Sequence, residues 1–247
     1  MMLLADIGNT RVKWAQAQGR ILSGYGVTMH AGRPPMEVWR SVWADVPRPQ
    51  RVVISNVAGA AVADSVRDYF QQQLHLTPEF VKPSPLAGGV TNGYADVAQL
   101  GADRWAAAVG AFSRYGGPVC VLGCGTALTM DTVNRDGRHL GGLIAPGLGT
   151  MQRALFAAAP TLPTDGAGQP VLFARDTRTA LSSGVLYAAA GFIERVTAEV
   201  RDREGKEIKM LLTGGDAETL QPWLHDRFTL APHLVLEGLA VLAELRT

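Results

Sequence analysis

Apolar and polar positions follow the same course twice along the chain. Residues 2–7 (MLLADI) run apolar up to Asp6, and residues 11–17 alternate, with Val12 and Trp14 on one face and Arg11 and Lys13 on the other. A period of two marks a strand with one face in the core. The pattern therefore predicts a hairpin with Asp6-Ile7-Gly8-Asn9-Thr10 at its tip. The β-branched run 51–57 (RVVISNV) predicts a buried strand, and 60–74 a helix. Residues 80–94 carry Pro, Gly and Asn signals and read mostly as loop. Residues 101–117 predict a helix with Trp105, Ala108, Val109 and Phe112 on one stripe, stopped by Gly116-Gly117-Pro118.

After that stop the pattern begins again. Residues 118–133 (PVCVLGCGTALTMDTV) read as strand, tight turn and alternating strand. Residues 134–137 make a turn and 138–147 a third strand. Helices are predicted over about 149–158 and 178–204, a strand over 207–215, and a last helix over 233–246. The second tip is Gly123-Cys124-Gly125-Thr126-Ala127, and its glycines lie roughly 117 residues after those of the first. That spacing is about one domain length. It suggests a duplicated βββαβ-type unit with the tips facing one another across a cleft.

Composition narrows the class. A chain of 247 residues with 47% hydrophobic residues can bury a sizeable core as one domain or as two of about half the length. Its formal net charge of +1 provides no basic field for nucleic acid or a membrane surface. The beginning has no charged segment ahead of its apolar run, so it does not read as a signal peptide. No stretch approaches the roughly 18 apolar residues of a membrane span. With only Cys120 and Cys124, a metal site or disulfide framework is not expected, and buried thiols in a reduced cytoplasm are.

The first tip holds more polar groups than a turn needs. Glycine-rich turns aim successive N–H groups at one point and so bind anions. Asn9, Thr10 and Thr126 add donors without blocking approach. A carboxylate fits such a place if a cation stands between it and a phosphate, as Mg²⁺ does. Asp6 thus reads either as a Mg²⁺ contact or, with Asn9, as a residue that shapes the turn through side-chain hydrogen bonds. No GxxxxGK[ST] is present, and the strand-like TALTMDTV after GCG lacks the helix and third glycine of a dinucleotide fingerprint. In 92–107, Asp103 and Arg104 begin a helix. They read either as first-turn capping or as a proton acceptor beside a carboxylate-binding guanidinium. The five histidines show no metal-ligand spacing, and His139 reads as a surface or internally satisfied residue. The Gly/Ala run in 182–196 reads as close helix packing, including packing across a subunit interface.

Taken together, D-x-G-N-T, N-G-Y, G-A-D-R, the second Gly-Thr turn, GGLIAPGLGTM and TGGDA resemble, in that order, the type III pantothenate kinases of the acetate and sugar kinase/actin-like ATPase superfamily. The resemblance runs from Asp6 to about Leu239. It implies an α/β fold of two duplicated ribonuclease-H-like domains, 1–116 and 117–232, with the helix 233–246 returning to the first. It implies ATP-dependent phosphorylation of the 4′-hydroxyl of pantothenate, the first step of coenzyme A synthesis, in a cytoplasmic homodimer. Matched position by position, Asp6 orients Mg²⁺–ATP. Ile7, Gly8, Asn9, Thr10, Arg11, Val12 and Lys13 form the first phosphate loop with it, and Thr126 belongs to the second. Asp103 is the catalytic base. Tyr94, Gly101, Ala102 and Arg104 bind pantothenate, and Thr177 reaches it from the partner subunit. Gly214 and Gly215 resemble the turn near the adenosine. One position departs: Gly123 stands where many relatives carry an Asp that helps hold a monovalent cation, K⁺ or NH₄⁺. Either backbone carbonyls hold that cation or the need for it is smaller, and Asp131 is too far along the strand to replace it. Two rivals share the fold or the family: a phosphatase acting on polyphosphates, and a non-catalytic accessory factor in transcription.

Overall fold

The N-terminal hairpin forms as its alternation requires. In a computed structural model, described over residues 1–164, 168–225 and 227–245, β1 (Met2–Ile7) and β2 (Arg11–Gln18) pair antiparallel with Asp6 opposite Lys13. β2 continues into β3 (Ile21–Met29), then α1 (Pro35–Trp43), β4 (Arg51–Asn56) and α2 (Ala60–Leu74) follow. The stretch read as mostly loop contains three two-residue strands, β5 (Glu79–Phe80), β6 (Leu86–Ala87) and β7 (Val90–Thr91). α3 (Ala102–Tyr115) ends where Gly116 turns to φ +68° and donates its N–H to the Phe112 carbonyl at 2.9 Å. The first sheet has the order β3-β2-β1-β4-β5, with β4 parallel to both β1 and β5.

β3 and α1 were not legible from periodicity. β3 is an edge strand that leaves Ile21, Tyr25, Val27 and Met29 exposed, so its pattern shows no buried face.

Alternation along the central strands divides the core of this unit. Leu3, Ala5, Ile7, Val52 and Ile54 pack on one face with Trp39 and Trp43 of α1 and Val66, Tyr69 and Phe70 of α2. Their neighbours Leu4, Asp6, Val53 and Ser55 therefore face the other way, toward the side on which α3 lies.

The second series is β8 (Val119–Cys124), β9 (Ala127–Val133), β10 (His139–Pro146), α4 (Leu148–Ala158), α5 (Thr177–Glu204), β11 (Lys209–Thr213), α6 (Ala217–Leu220) and β12 (Thr229–Leu230). Its sheet runs β10-β9-β8-β11-β12, with β11 parallel to both β8 and β12. This is the strand order and direction of the first sheet. Cys120, Leu122, Cys124, Met210 and Leu212 meet Leu186, Ala189, Ile193, Val196 and Val200 of α5 in one apolar layer. Burial pushes both thiols up to about 12.

The chain closes with α7 (Leu234–Glu244), and position 246 of the predicted helix lies outside the described residues. Two compact units result. One is Met1–Gly116 with Asp136–Leu140 and the segment from His233 onward, and the other is Gly117–Arg135 with Gly141–Pro232. In the first unit α7 lies directly on α3. A Cβ on Gly110 would stand 2.8 Å from the Gly238 nitrogen, and one on Gly238 would stand 1.8 Å from the Ala106 carbonyl oxygen. Packed on α7, α3 is buried nearly all round from Ala102 to Ala111, including Arg104, beyond the single predicted stripe.

The Gly/Ala run of α5 divides between the two kinds of packing expected of it. Ala189 and Ala190 are buried within the chain, whereas nothing lies within 4 Å of a Cβ placed on Gly184 or Gly191. These glycines share an exposed stripe with Tyr187 and Ala188.

Candidate active site

The first tip is built on a row of paired residues. Asp6 pairs with Lys13 on β2 and with Ser55 on β4. Paired positions on neighbouring strands place their side chains on one face, so a cation, a carboxylate and a hydroxyl stand side by side. The Asp6 Oδ1 atom is shut off from solvent with no hydrogen bond of ordinary geometry to a described residue, and the Ser55 hydroxyl, also shut off, reaches only toward the Asp6 carboxyl. Burial, and next the negative charge of Asp103, push the Asp6 carboxyl up to about 7, while the Lys13 charge and the nearby Ser55 hydroxyl dipole pull it back. Two acids facing one another in a desolvated place favour a divalent cation between them.

Asp103 sits in the first turn of α3, where the helix dipole favours an anion. Its Oδ1 accepts the Arg104 backbone N–H at 2.8 Å. A Cβ on Gly101 would come within 2.6 Å of that oxygen, so the glycine makes room for the carboxylate. Arg104 is buried, and its Nη1 donates to the Tyr94 hydroxyl at 3.0 Å. Tyr94 is held on two sides. Its backbone N–H donates to the Asn92 side-chain oxygen at 3.0 Å, and its ring stacks on His139 with centroids 5.8 Å apart. His139 is fully buried, which removes the surface reading of that residue.

Neither Gly8 nor Gly125 is a glycine for the sake of the fold. Both have ordinary φ, and a Cβ on either would meet nothing nearer than 3.5 Å. A side chain would fit, so the glycine keeps the approach to the backbone open. Ile7 and Val12 point into the core and leave only their backbone to a ligand, whereas Asn9 and Arg11 are exposed.

In the second unit, by contrast, the tip is hemmed in by glycines the fold demands. A Cβ on Gly147 would fall 1.9 Å from the Gly125 carbonyl oxygen. Gly214, at φ +104°, would bring one within 2.1 Å of the Cys124 oxygen. The Thr126 carbonyl accepts from the Gly147 N–H at 3.0 Å and the Thr150 hydroxyl at 2.7 Å. The space a side chain at Gly123 would take is held by the Thr129 hydroxyl. Thr177 is exposed at the start of α5, just after the Asp176 cap.

Asp6 to Lys13, Tyr94 and Gly101 to Arg104 thus belong to the first unit, and Thr126 and Thr177 to the second. Ser55 and Asn92 were missed. Their only signal is register with Asp6 in one case and spacing to Tyr94 in the other.

The profile of one family, type III pantothenate kinase, matches residues 2–199. The chain belongs to the type III pantothenate kinase family. A type III pantothenate kinase of Nitrosococcus oceani is 37% identical over 250 residues, covering 99% of this chain and 94% of its own. Among solved structures, a Campylobacter jejuni protein assigned to the Baf family of transcriptional activators superposes with a TM-score of 0.60 at 20% identity, covering 99% of this chain and 100% of its own. MreB 5 of Spiroplasma citri, bound to AMPPNP, superposes with a TM-score of 0.52 at 9% identity, covering 99% and 96%. At such identities the structural likenesses establish the fold, which is the actin-like ATPase fold of duplicated ribonuclease-H-like halves. Family membership makes the chain a kinase, a phosphotransferase that uses ATP.

Proposed function

We propose that this kinase phosphorylates the 4′-hydroxyl of pantothenate at the first step of coenzyme A synthesis, with Asp103 as the base. The observation that carries the reading is the pairing, within one unit, of a buried carboxyl at Asp6 with a second carboxylate at the head of α3.

Asp103 accepts the proton of the alcohol as the phosphoryl group moves. Its place in the first helical turn suits a negative charge, and the Arg104 N–H is bonded to one of its oxygens. Arg104 binds the carboxylate of pantothenate, and the Tyr94 hydroxyl holds the guanidinium in position while His139 and Asn92 hold Tyr94. Gly101 and Ala102 line the approach. The backbone of Gly8 to Lys13, with the Asn9 and Thr10 side chains, receives phosphate oxygens of ATP, and Thr126 and the N–H groups around it do likewise.

The residues present fit Mg²⁺. Among the described residues no cluster of three or more His, Cys, Asp or Glu side chains could hold a metal, and Mg²⁺ is normally held by one or two carboxylates together with substrate phosphates. Asp6, whose Oδ1 keeps capacity to spare, would face it, and when bound it neutralises charge on the transferring phosphoryl group. Position 123 offers no side-chain oxygen to K⁺ or NH₄⁺, so the Thr129 hydroxyl and backbone carbonyls are the oxygens left there.

The proposal includes a homodimer in which a second copy covers the exposed stripe of Gly184, Tyr187, Ala188 and Gly191, and Thr177 serves the partner's site. It places the enzyme in the cytoplasm. No helix among the described residues is long and apolar enough to cross a membrane.

Incubation with ATP, Mg²⁺ and pantothenate tests the reading. Phosphopantothenate is the expected product. Release of phosphate that does not depend on pantothenate would make the chain a hydrolase, and no turnover of either kind would leave it a binding protein.

A further inference from the structure

Ser55 has no role in the reaction as described, yet its position is unusual. It is fully buried on β4, level with Asp6, on the face that α3 shares. Its hydroxyl lies within reach of the Asp6 carboxyl, whose anion it steadies, and meets no other hydrogen-bond partner among the described residues, while the Oδ1 of Asp6 keeps capacity to spare. A hydroxyl that can donate only toward this carboxyl leaves its own lone pairs unused in the interior. Two adjacent buried oxygens with unused capacity, one of them on a carboxylate, suit a hydrated hard cation, whose waters donate hydrogen bonds to just such acceptors. The second unit offers an internal comparison. Its row at the same register is Thr129, Gly123 and Thr213, so a hydroxyl stands at the position of Ser55 while the carboxylate is missing.

We infer that the Ser55 hydroxyl is a positioning residue for the divalent cation, holding with Asp6 a water of the cation's shell rather than touching the metal. This rests on the reading that Asp6 faces Mg²⁺. It separates two duties: Asp6 supplies the charge, and Ser55 fixes the direction in which the hydrated ion is presented to the phosphates.

The experiment uses Mn²⁺ as a spectroscopic stand-in, titrated into the whole protein with AMPPNP and followed by electron paramagnetic resonance. Ser55→Ala and the nearly isosteric Ser55→Cys should each weaken Mn²⁺ binding about 10- to 100-fold, the range typical for outer-shell partners. The thermal midpoint of metal-free Ser55→Ala should stay close to that of the wild type, because the backbone pairing of β4 with β1 is untouched. Wild-type Mn²⁺ affinity in Ser55→Cys overturns the inference. So does a lowered metal-free midpoint in Ser55→Ala that accounts for its weaker binding. Asp6→Asn separates the layers of the argument. Unchanged Mn²⁺ binding in that variant sinks the reading of Asp6 itself, while loss there with none at Ser55 sinks only the role given to the hydroxyl.

Discussion

The two sheets share strand order and direction, but the rows beside their tips differ in chemistry. In the first the row reads Lys13, Asp6, Ser55, and in the second Thr129, Gly123, Thr213. Duplication of a topology therefore did not duplicate its charges. The first unit keeps a buried carboxyl facing a second acid, and the second keeps hydroxyls and backbone packed close by Gly147 and Gly214. Phosphoryl transfer needs one place that manages protons and a divalent ion, and further surfaces that only receive phosphate oxygens.

The largest effect should come from removing the proposed proton acceptor. Asp103→Asn is expected to lower turnover by about 10²- to 10⁴-fold or more while thermal unfolding stays as in the wild type. Unchanged turnover would move the chemistry elsewhere.

Asp6 tests the contrast through stability. Its carboxyl ordinarily titrates near 3.8 and in the fold near 7, so between those values the native state holds a proton that the unfolded chain has released. The stability of the metal-free protein should therefore be full below about pH 4 and fall as pH rises through 7, by up to about 4 kcal/mol. Asp6→Asn should remove that slope, so in urea the variant is the more stable at pH 8 and the gap closes at pH 4. A gap that does not vary with pH would show that the acid is not shielded as described.

The glycines of the tips come next. Gly8→Ala and Gly125→Ala should each raise the KM for ATP roughly 10- to 100-fold, the worth of one or two charge-assisted contacts, with little change in unfolding. Gly214→Ala should instead cost about 1–3 kcal/mol of stability, since alanine there meets both a positive φ and a carbonyl. If all three behave alike, the distinction between open and demanded glycines is wrong. The smallest effect concerns the second row. Replacing K⁺ by Na⁺ at constant ionic strength should leave turnover nearly unchanged, because Gly123 presents no carboxylate.

Much of the architecture was legible because the central strands carry their own period. Val12 and Lys13 alternate cleanly, and Gly116 stops α3 as its flexibility allows. β3 was hidden by its edge position, which leaves Ile21 and Val27 in solvent and erases the contrast between faces. The candidate site was legible where residues are out of place for a turn or a helix start, as with Asp6 and Asp103. Ser55 was not, because a serine within RVVISNV gives no sign of its neighbour on another strand. His139 stood between two readings for a similar reason. A histidine beside two glycines is compatible with solvent or with the interior, and its packing on Tyr94 decides for the interior.

The glycine crossing of α3 and α7 has a consequence for how the protein is made. The helix that presents Asp103 can seat fully only when Gly110 meets Gly238, and the intervening stretch must first be translated. At about 5–20 residues per second that takes roughly 6–24 s. During synthesis the helix that carries Asp103 thus waits for α7 before it can seat.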